Sequence, residues 1–564
     1  MIAAYAFLGL FRLGSYDLQI DEGRFGLSGL NILADPHQLA TVSEEPLGGP
    51  GTKAYLYPLL EAASISVLGK NEYAVRSVNV LILLLTAFFL YGLVRFLTED
   101  RIVCFLSLSL FLLNPGTITY ARMAMPEPSV VFWGCAGLYA CAVFYETEEW
   151  LWAVLCGVAL GLAFLSKFWL VFPFALACFA LFALKFIQKK KVRFLAIPLA
   201  AFVVFLLVAS SHLLLVWLLE PRQLSYWLGM YFGTTLSSRV AGSGYDPAMW
   251  FRPWWFYLSA FFKASFFGLP LVFLGIANLW KDKLRETAAV VASLLLLVPI
   301  LSVFIVKEAA YMFPAYPGIM VLMALGLRYF FRGAASQEVA LSTVFSMLLA
   351  GWLYSKAVFE LRDLIMIEAL YFVYLASGLT FERCRVSARR LAAAGLVTAM
   401  LFTSAVAIRR DMVHRTFFRE TALYFKSDLQ MEPPQEVCFV SGEYPSLSFY
   451  TFRTGQYWQT YNFQEDFSTF ERNLREHRRV FYIADRNGTL YGGSPSSAEW
   501  QALQEQTHDV TPDVERFIGH NISFRIFVPV DSRYQTGGVN DLSRFQNSKM
   551  IVLRAEEPTG RIVR

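Results

Sequence analysis

The sequence has few charged residues. Asp, Glu, Lys and Arg make up 16% of its 564 residues, whereas hydrophobic residues make up 56%. A soluble globular protein carries about 25% charged residues, so this deficit excludes a soluble fold for most of the chain. The net charge of +5 is small for this length and gives no indication of a nucleic-acid partner. The composition therefore predicts a polytopic membrane protein.

Cysteine and histidine are also scarce, with seven and six residues. All but two of the cysteines lie in apolar runs, where thiols behave as small hydrophobic side chains. No cysteine spacing predicts a disulfide framework or a Cys-x-x-Cys metal site, and the histidines show no paired ligand spacing. No metal ligand set and no cofactor are assigned from these residues. An internal repeat of the solenoid type is also absent from the sequence.

Long apolar runs are frequent instead. They follow a shorter apolar segment at Met1–Leu13, and each is close to the length of about 20 residues that a bilayer requires. The runs are Arg76–Leu97, Ile102–Ile118, Ser129–Phe144, Leu151–Leu165, Phe168–Phe186, Phe194–Leu219, Trp254–Trp280, Thr287–Val306, Tyr311–Phe331, Val339–Tyr354, Leu364–Phe381 and Leu391–Ile408. We therefore predict about 13 transmembrane helices, with Met1–Leu13 as the first helix and not a cleaved signal peptide.

The basic residues fall mainly in alternate turns between these runs. The basic turns are Lys185–Arg193, Lys281–Arg285, Arg328–Arg332 and Arg383–Arg390. Positive residues are retained in the cytoplasm, so these turns are predicted to be cytoplasmic. The same rule predicts a cytoplasmic N-terminus. It leaves the loop 14–72, the loop 220–253 and the tail from Arg409 on the outer side.

From Arg409 the composition changes to that of a soluble domain. Short β-like runs occur in it, together with two helix-like stretches. The β-like runs are Glu436–Ser441, Arg479–Ala484 and Ser523–Pro529, and the helix-like stretches are Phe463–His477 and Ser496–His508. We predict a transmembrane catalytic domain at residues 1–408, with outer loops 14–72 and 220–253. A soluble extracytoplasmic α/β domain is predicted at residues 409–564.

Several charged residues lie beside the predicted outer ends of the spans. A charge at a helix centre costs about 2.5 to 3.5 kcal/mol, so a charge near the membrane needs either a snorkelling route or a function. The residues are Asp21, Glu22, Lys53, Arg122, Glu127, Lys167 and Lys307, with Tyr311 close to the last of them in sequence. Structural alternatives exist for all of them. They are a solvated turn for Asp21-Glu22, an interfacial ion pair of Arg122 with Glu127, and snorkelling or surface positions for the lysines.

Carboxylates and cations on one side of the membrane suit a sugar transfer from a lipid phosphate to a hydroxyl group. Lys and Arg neutralise phosphate oxygens as the glycosidic bond breaks. A carboxylate takes the proton from the incoming hydroxyl as general base. One base and one clamp on the leaving group are sufficient for inversion. A divalent ion bound by Asp21, Glu22 or Glu127 is left open.

The order of these motifs resembles that of the GT-C glycosyltransferases that use polyprenyl-phosphate sugars. The motifs are Asp21-Glu22, a Pro/Gly-rich segment with Lys53 before Tyr55-Leu-Tyr-Pro58, Ala121-Arg-Met-Ala-Met-Pro-Glu127, Leu165-Ser-Lys167, and Lys307 to Tyr311. The superfamily includes protein O-mannosyltransferases and the bacterial aminoarabinose transferase that modifies lipid A. The resemblance extends to about residue 330. One departure is Gly48-Gly-Pro-Gly51, where mannosyltransferases have a His-Pro-Pro run.

The resemblance implies a role for each residue. Asp21 is the catalytic base with Glu22 beside it, and Glu127 is a second catalytic acidic residue. The donor phosphate is bound by Lys53, Arg122, Lys167, Lys307 and Tyr311. The loop 220–253 with Arg239 covers the substrate, although its aromatic residues also suit an interfacial belt. The first outer loop contains helices along the membrane, and Leu56–Leu68 is apolar enough for one.

The implied protein is a multi-pass protein of the bacterial inner membrane. Its partners are a polyprenyl-phosphate sugar donor, a lipid, glycan or protein acceptor, and membrane lipids, with no nucleic acid. The alternative function is a transporter or flippase of lipid-linked sugars, which also needs many spans and a few charges. Transporters place charges near the bilayer midplane, whereas here they cluster at one mouth. A receptor, the third interpretation, predicts that these charges are dispensable.

Overall fold

The computed structural model describes most of the first 379 residues. The described ranges are 1–15, 20–42, 54–190, 193–231, 251–265, 268–305, 307–332, 334–356 and 361–379, with Leu18 and short segments from residue 395 onward. Contacts divide the chain into two compact units. The first unit comprises Met1–Leu13, Lys53–Tyr57 and Arg76–Arg410, and the second comprises Gly14–Thr52, Pro58–Val75 and Asp411–Arg564.

Helices account for nearly all of the described structure before residue 380. They are α1 (Ile2–Leu10), α2 (Ile20–Ala34), α3 (Gln38–Thr41), α4 (Leu56–Leu68), α5 (Glu72–Thr98), α6 (Arg101–Leu113), α7 (Pro115–Ala121), α8 (Glu127–Thr147), α9 (Trp150–Ser166), α10 (Phe172–Lys189), α11 (Arg193–Ala209), α12 (Ser211–Leu219), α13 (Leu224–Gly229), α14 (Phe256–Ser265), α15 (Leu269–Lys281), α16 (Arg285–Leu295), α17 (Leu297–Ser302), α18 (Tyr316–Arg332), α19 (Ser336–Ser355) and α20 (Leu361–Leu379). Short 3₁₀ helices lie at Phe168–Val171, Pro221–Gln223 and Ala309–Ala315.

Seven helical segments among the described residues are long and apolar enough to cross a membrane. They are Glu72–Thr98, Glu127–Thr147, Phe168–Lys189, Ala196–Leu219, Arg285–Ser302, Ala309–Arg332 and Ser336–Ser355. The helices α6 and α7 form an eighth span if the bent pair is counted as one. The predicted multi-pass membrane protein is therefore confirmed in its helical character. The number of about 13 spans stays a prediction.

The predicted span Ile102–Ile118 is bent by 57° between α6 and α7. Asn114 separates the two helices, and its side chain accepts a hydrogen bond from the Gly116 amide at 2.8 Å. Pro115 follows at the first position of α7, where its missing N–H costs nothing. A side-chain cap and a proline together end one helix and start the next, so the apolar run does not continue as a straight helix.

The predicted span Trp254–Trp280 is divided into α14 and α15. The second of these helices packs closely on α18, because two glycines remove side chains from the contact. A Cβ at Gly275 or at Gly326 would overlap the main-chain carbonyl of Leu322 or of Leu271. The periodicity of apolar residues does not reveal such a division, since both halves are equally apolar.

Lysines in two of the basic turns of the first unit form ion pairs with glutamates. Lys185 and Lys189 lie 3.2 and 3.1 Å from a Glu148 carboxylate oxygen, and Lys281 lies 2.5 Å from one of Glu338. Lys189, with Lys185, holds the pKa of the Glu148 carboxyl below its ordinary value. Ion pairs that water reaches contribute little to stability, so these pairs organise the turns more than they stabilise the protein.

The described residues of the carboxyl-terminal segment include one five-stranded sheet. The strands are β1 (Val437–Ser441), β2 (Gln459–Tyr461), β3 (Arg479–Asp485), β4 (Thr507–Asp509) and β5 (Phe524–Pro529), in the order β2-β1-β3-β5-β4. Strand β1 is parallel to β2 and β3, whereas β5 is antiparallel to β3 and β4. Three strands lie where the sequence predicts them. The last two residues of the predicted helix-like stretch Ser496–His508 belong to β4. The rest of that stretch and Phe463–His477 lie outside the described residues.

The second unit also contains α2 and α4. Gly29 lets the two helices approach, because a Cβ there would lie 3.1 Å from the Ala62 amide nitrogen. Tyr450 accepts a hydrogen bond on its hydroxyl from the Leu18 amide at 2.8 Å, and its carbonyl accepts one from the Lys70 ammonium at 3.2 Å. Residues far apart in sequence therefore hold this unit together.

Candidate active site

The Asp21-Glu22 pair lies in the first turn of α2, in the second unit. Carboxylates at this end of a helix interact favourably with the helix dipole. The Asp21 side chain is 52% exposed and lies 3.5 Å from the Arg24 guanidinium, whereas Glu22 is fully buried. Consecutive helical residues point about 100° apart, which separates the two environments. Asp21 is therefore accessible to solvent, and Glu22 is not.

Glu127 begins α8 and is fully buried in the first unit. Pro126 precedes it and Pro128 follows it, so the chain direction at the helix start is restricted. One carboxylate oxygen, Oε1, accepts a hydrogen bond from the Lys167 ammonium. The other oxygen, Oε2, has no hydrogen-bond partner in the part of the chain that the structure describes. Burial of such an oxygen costs about 1 to 3 kcal/mol.

Lys167 follows the last residue of α9 and has extended backbone geometry, with φ −160° and ψ 98°. This conformation ends the helix and turns the side chain towards Glu127. The ammonium also lies 4.6 Å from the centre of the Tyr311 ring. Trp169 packs edge-on against that ring, with 4.3 Å between the ring centres. The Lys167 charge is thus held between a carboxylate and an aromatic face, and both attract a cation.

Three polar residues hold this cluster in position. The hydroxyls of Ser129 and Ser166 are 2.8 Å apart and join the first turn of α8 to the last turn of α9. The Asn79 amide donates to the carbonyls of Met123 at 2.6 Å and Met125 at 2.7 Å, in the turn before α8. Sequence reasoning missed Asn79 and Ser129. Their polar character within apolar runs was the available signal.

Arg122 is buried and follows the last residue of α7. Its Nη1 donates to the carbonyls of Leu8 and Gly9 and to that of Phe11, at 3.0, 3.2 and 2.8 Å. The first two carbonyls belong to the last turn of α1 and the third to the residue that follows it, where a helix leaves acceptors unsatisfied. The expected alternative of an Arg122–Glu127 ion pair is not formed, because Glu127 pairs with Lys167.

Lys307 lies between the two spans Arg285–Ser302 and Ala309–Arg332. Its ammonium donates to the carbonyls of Phe304 and Arg252, the latter at 3.1 Å. Burial lowers the pKa of this ammonium. The next residue, Glu308, donates its amide to the hydroxyl of the buried Tyr257 at 3.1 Å.

The structure therefore brings together Glu127, Lys167 and Tyr311 from the predicted set. Arg122 and Lys307 are each bonded to main-chain carbonyls. Lys53 and Arg239 lie outside the described residues. Chemically, the cluster offers a buried cation and a buried carboxylate whose second oxygen faces no donor among the described residues, an arrangement suited to binding one anionic and one hydroxyl-bearing group.

Known glycosyltransferases are similar to this chain in sequence. A family model described as dolichyl-phosphate-mannose-protein mannosyltransferase matches residues 51–228. Undecaprenyl phosphate-alpha-4-amino-4-deoxy-L-arabinose arabinosyl transferase 1 of Pseudomonas fluorescens is 25% identical over 402 residues, which is 66% of each chain. The arabinosyl transferase of Pseudomonas aeruginosa is 27% identical over 347 residues, 58% of this chain and 59% of that one. The aligned part is less than two thirds of these relatives' length.

A solved structure has a similar fold. The crystal structure of ArnT from Cupriavidus metallidurans bound to undecaprenyl phosphate superposes with a TM-score of 0.63 at 13% identity. The superposition covers 95% of this chain and 98% of that one. At this identity the likeness shows the fold, and the GT-C fold predicted from the sequence is confirmed.

Proposed function

We propose that the protein is an inverting glycosyltransferase that moves a sugar from a polyprenyl-phosphate carrier to a lipid, glycan or protein acceptor. The reaction takes place at the outer face of a bacterial inner membrane. The arabinosyl transferases to which the chain is similar make undecaprenyl phosphate 4-amino-4-deoxy-L-arabinose the first donor to test. The arrangement of about 13 spans, the cytoplasmic N-terminus and the outer soluble α/β domain at 409–564 belong to the same proposal.

The buried Glu127–Lys167–Tyr311 cluster carries this proposal. Glu127 and Lys167 both fall within the segment that matches the mannosyltransferase family model. A lysine that is buried at the end of a span carries a large desolvation cost, which a site for an anion explains. A donor phosphate entering the cluster lies beside the Lys167 ammonium, and the ammonium neutralises the charge that forms on the leaving phosphate oxygen.

The remaining roles rest on the sequence resemblance. Asp21 acts as the general base towards the acceptor hydroxyl, for which its exposed carboxylate in the first turn of α2 is suited. Glu22 and Glu127 are the accompanying acidic residues. Lys53, Arg122 and Lys307 contribute to donor binding, and the loop carrying Arg239 covers the substrate.

The deciding experiment measures transfer of a radiolabelled sugar from its polyprenyl phosphate to an envelope lipid extract, with the purified protein in detergent. Loss of a general base lowers the rate by about 10²- to 10⁴-fold, which is the result expected for Asp21→Asn. Glu127→Gln keeps the side-chain volume and is expected to lose activity as well. Asp35→Asn, an exposed carboxylate near the other end of the same helix, is the matched control.

A transporter or flippase gives no transfer in this assay, because detergent removes the two compartments. Full turnover of a folded Asp21→Asn variant contradicts the assignment of the base. Full turnover of both carboxylate variants contradicts the proposed site.

A further inference from the structure

Three cysteine thiols converge inside the first unit. Cys141 lies in α8, Cys156 in α9 and Cys178 in α10, and all three are buried. Their sulfur atoms lie within 4.8 Å of one another. The Cys156 and Cys178 sulfurs are 3.6 Å apart, and the Cys141 sulfur is 3.7 Å from the Cys178 carbonyl oxygen. Of the five cysteines whose side chains the structure describes, these three meet although they come from three helices.

The separation of the sulfurs fits a single metal ion. Metal–sulfur bonds of about 2.3 Å in a plane with three ligands place the sulfurs about 4 Å apart. The observed 3.6 Å contact and the 4.8 Å limit lie on either side of this value. Thiolate ligands select soft ions such as Cu(I) or Zn(II). Structural zinc sites have four protein ligands, so a set of three sulfurs favours Cu(I).

Binding of the ion releases thiol protons to the solvent, because the thiolate and not the thiol is the metal ligand. No electron is transferred in this step, and the ion remains Cu(I). The preference for Cu(I) therefore rests on the number and spacing of the sulfurs.

An apolar cavity of about 400 Å³ gives access to two of the thiols. It lies among α9, α10 and α11, and Cys156 and Cys178 line it. Phe164, Phe205 and Tyr231 contribute to its wall. An ion carried by a small thiol or thioether compound therefore has a route to the sulfurs that does not require the helices to separate.

We propose that Cys141, Cys156 and Cys178 form a binding site for one Cu(I) ion, separate from the Glu127–Lys167–Tyr311 cluster and independent of sugar transfer. The site couples α8, α9 and α10 when it is occupied. The competing explanation is that the thiols only fill space as small hydrophobic side chains.

The test titrates the purified full-length protein, reduced and in detergent, with Cu(I) held by a chromogenic chelator. The wild-type chain is expected to remove one Cu(I) more from the chelator than Cys156→Ser or Cys178→Ser. Cys135→Ser is the matched control, because Cys135 is equally buried and lies on the same helix as Cys141. This variant is expected to bind as much Cu(I) as the wild type. An equal loss in all three variants, or no difference between any of them, overturns the proposal.

A second measurement needs no variant. X-ray absorption at the copper edge of the wild-type protein, loaded with one Cu(I), is expected to show three sulfur neighbours. Two sulfur neighbours, or nitrogen and oxygen neighbours, contradict the site. This readout stands even if a cysteine variant fails to fold, and neither measurement depends on the transferase assay.

Discussion

Replacement of Lys167 by Met tests whether the ion pair with Glu127 is a buried one. Met keeps the length of the lysine stem and its packing on the Tyr311 ring, but it removes the charge. The exposed fraction of Lys167 is 7% and that of Glu127 is 0%, so water does not replace the ammonium. Because the second carboxylate oxygen has no donor among the described residues, the variant leaves the whole carboxylate without the charged partner that it has now.

Breaking a buried pair by removal of one partner costs about 3 to 5 kcal/mol. A smaller term of about 0.5 to 2 kcal/mol is lost with the cation–π contact to Tyr311. Lys167→Met and Glu127→Gln are each expected to be destabilised by several kcal/mol. The double variant is expected to lie closer to the wild type than the sum of the two single losses, because it contains neither unpaired charge.

The assay is unfolding in mixed micelles, followed by tryptophan fluorescence, for the wild type, both single variants and the double variant. Lys189→Met is the matched control, because Lys189 is 46% exposed and its pair with Glu148 is expected to contribute little to stability. Additivity of the two single losses to within about 0.5 kcal/mol refutes the buried pair. An effect of Lys167→Met no larger than that of Lys189→Met refutes it too.

Two further predictions concern packing and pH. Gly326→Ala is expected to lower the unfolding midpoint, because its Cβ would overlap the Leu271 carbonyl. Gly351→Ala is the control and is expected to be neutral, because its new Cβ has no atom within 4 Å. Equal midpoints in both variants contradict the close contact. Burial lowers the pKa of Lys307 in the folded state below its ordinary value of 10.5. At a pH between the folded and the unfolded pKa, the unfolded chain therefore binds more protons than the folded chain. The free energy of unfolding rises with pH in that window. Lys307→Met is expected to lose this rise in unfolding titrations across that window, and an unchanged pH dependence contradicts the assigned cause.

Patterns within about twenty residues were sufficient to predict most of the helices and several strands. The run Leu56–Leu68 is a helix with those bounds, and Val339–Tyr354 lies within α19. These elements follow from apolar periodicity and length, which are local properties. The sequence also contains the signal for the bend at Pro115, which is an asparagine cap followed by a proline. It was missed because the apolar composition on both sides suggested a continuous span.

The partners of the charged residues were not predictable in the same way. Arg122 and Lys167 both lie beside the end of a span, and both are buried at a similar cost. From the sequence alone, both residues are equally suitable as phosphate ligands. In the folded chain Arg122 donates to carbonyls at the end of α1, more than 100 residues away, whereas Lys167 meets a carboxylate and an aromatic ring. Which acceptor a buried cation finds depends on tertiary contacts.

This difference changes what each cation is able to do. Arg122 donates through Nη1 to three carbonyls at the end of α1, so its loss leaves these acceptors without that donor. The Lys167 ammonium has three N–H donors and donates to one carboxylate oxygen, so a phosphate oxygen binds beside Glu127 without exposing main-chain carbonyls. Lys167 is therefore the cation whose substitution by Arg or Met is expected to change donor binding most directly. Arg122 is the cation whose substitution is expected to change stability first.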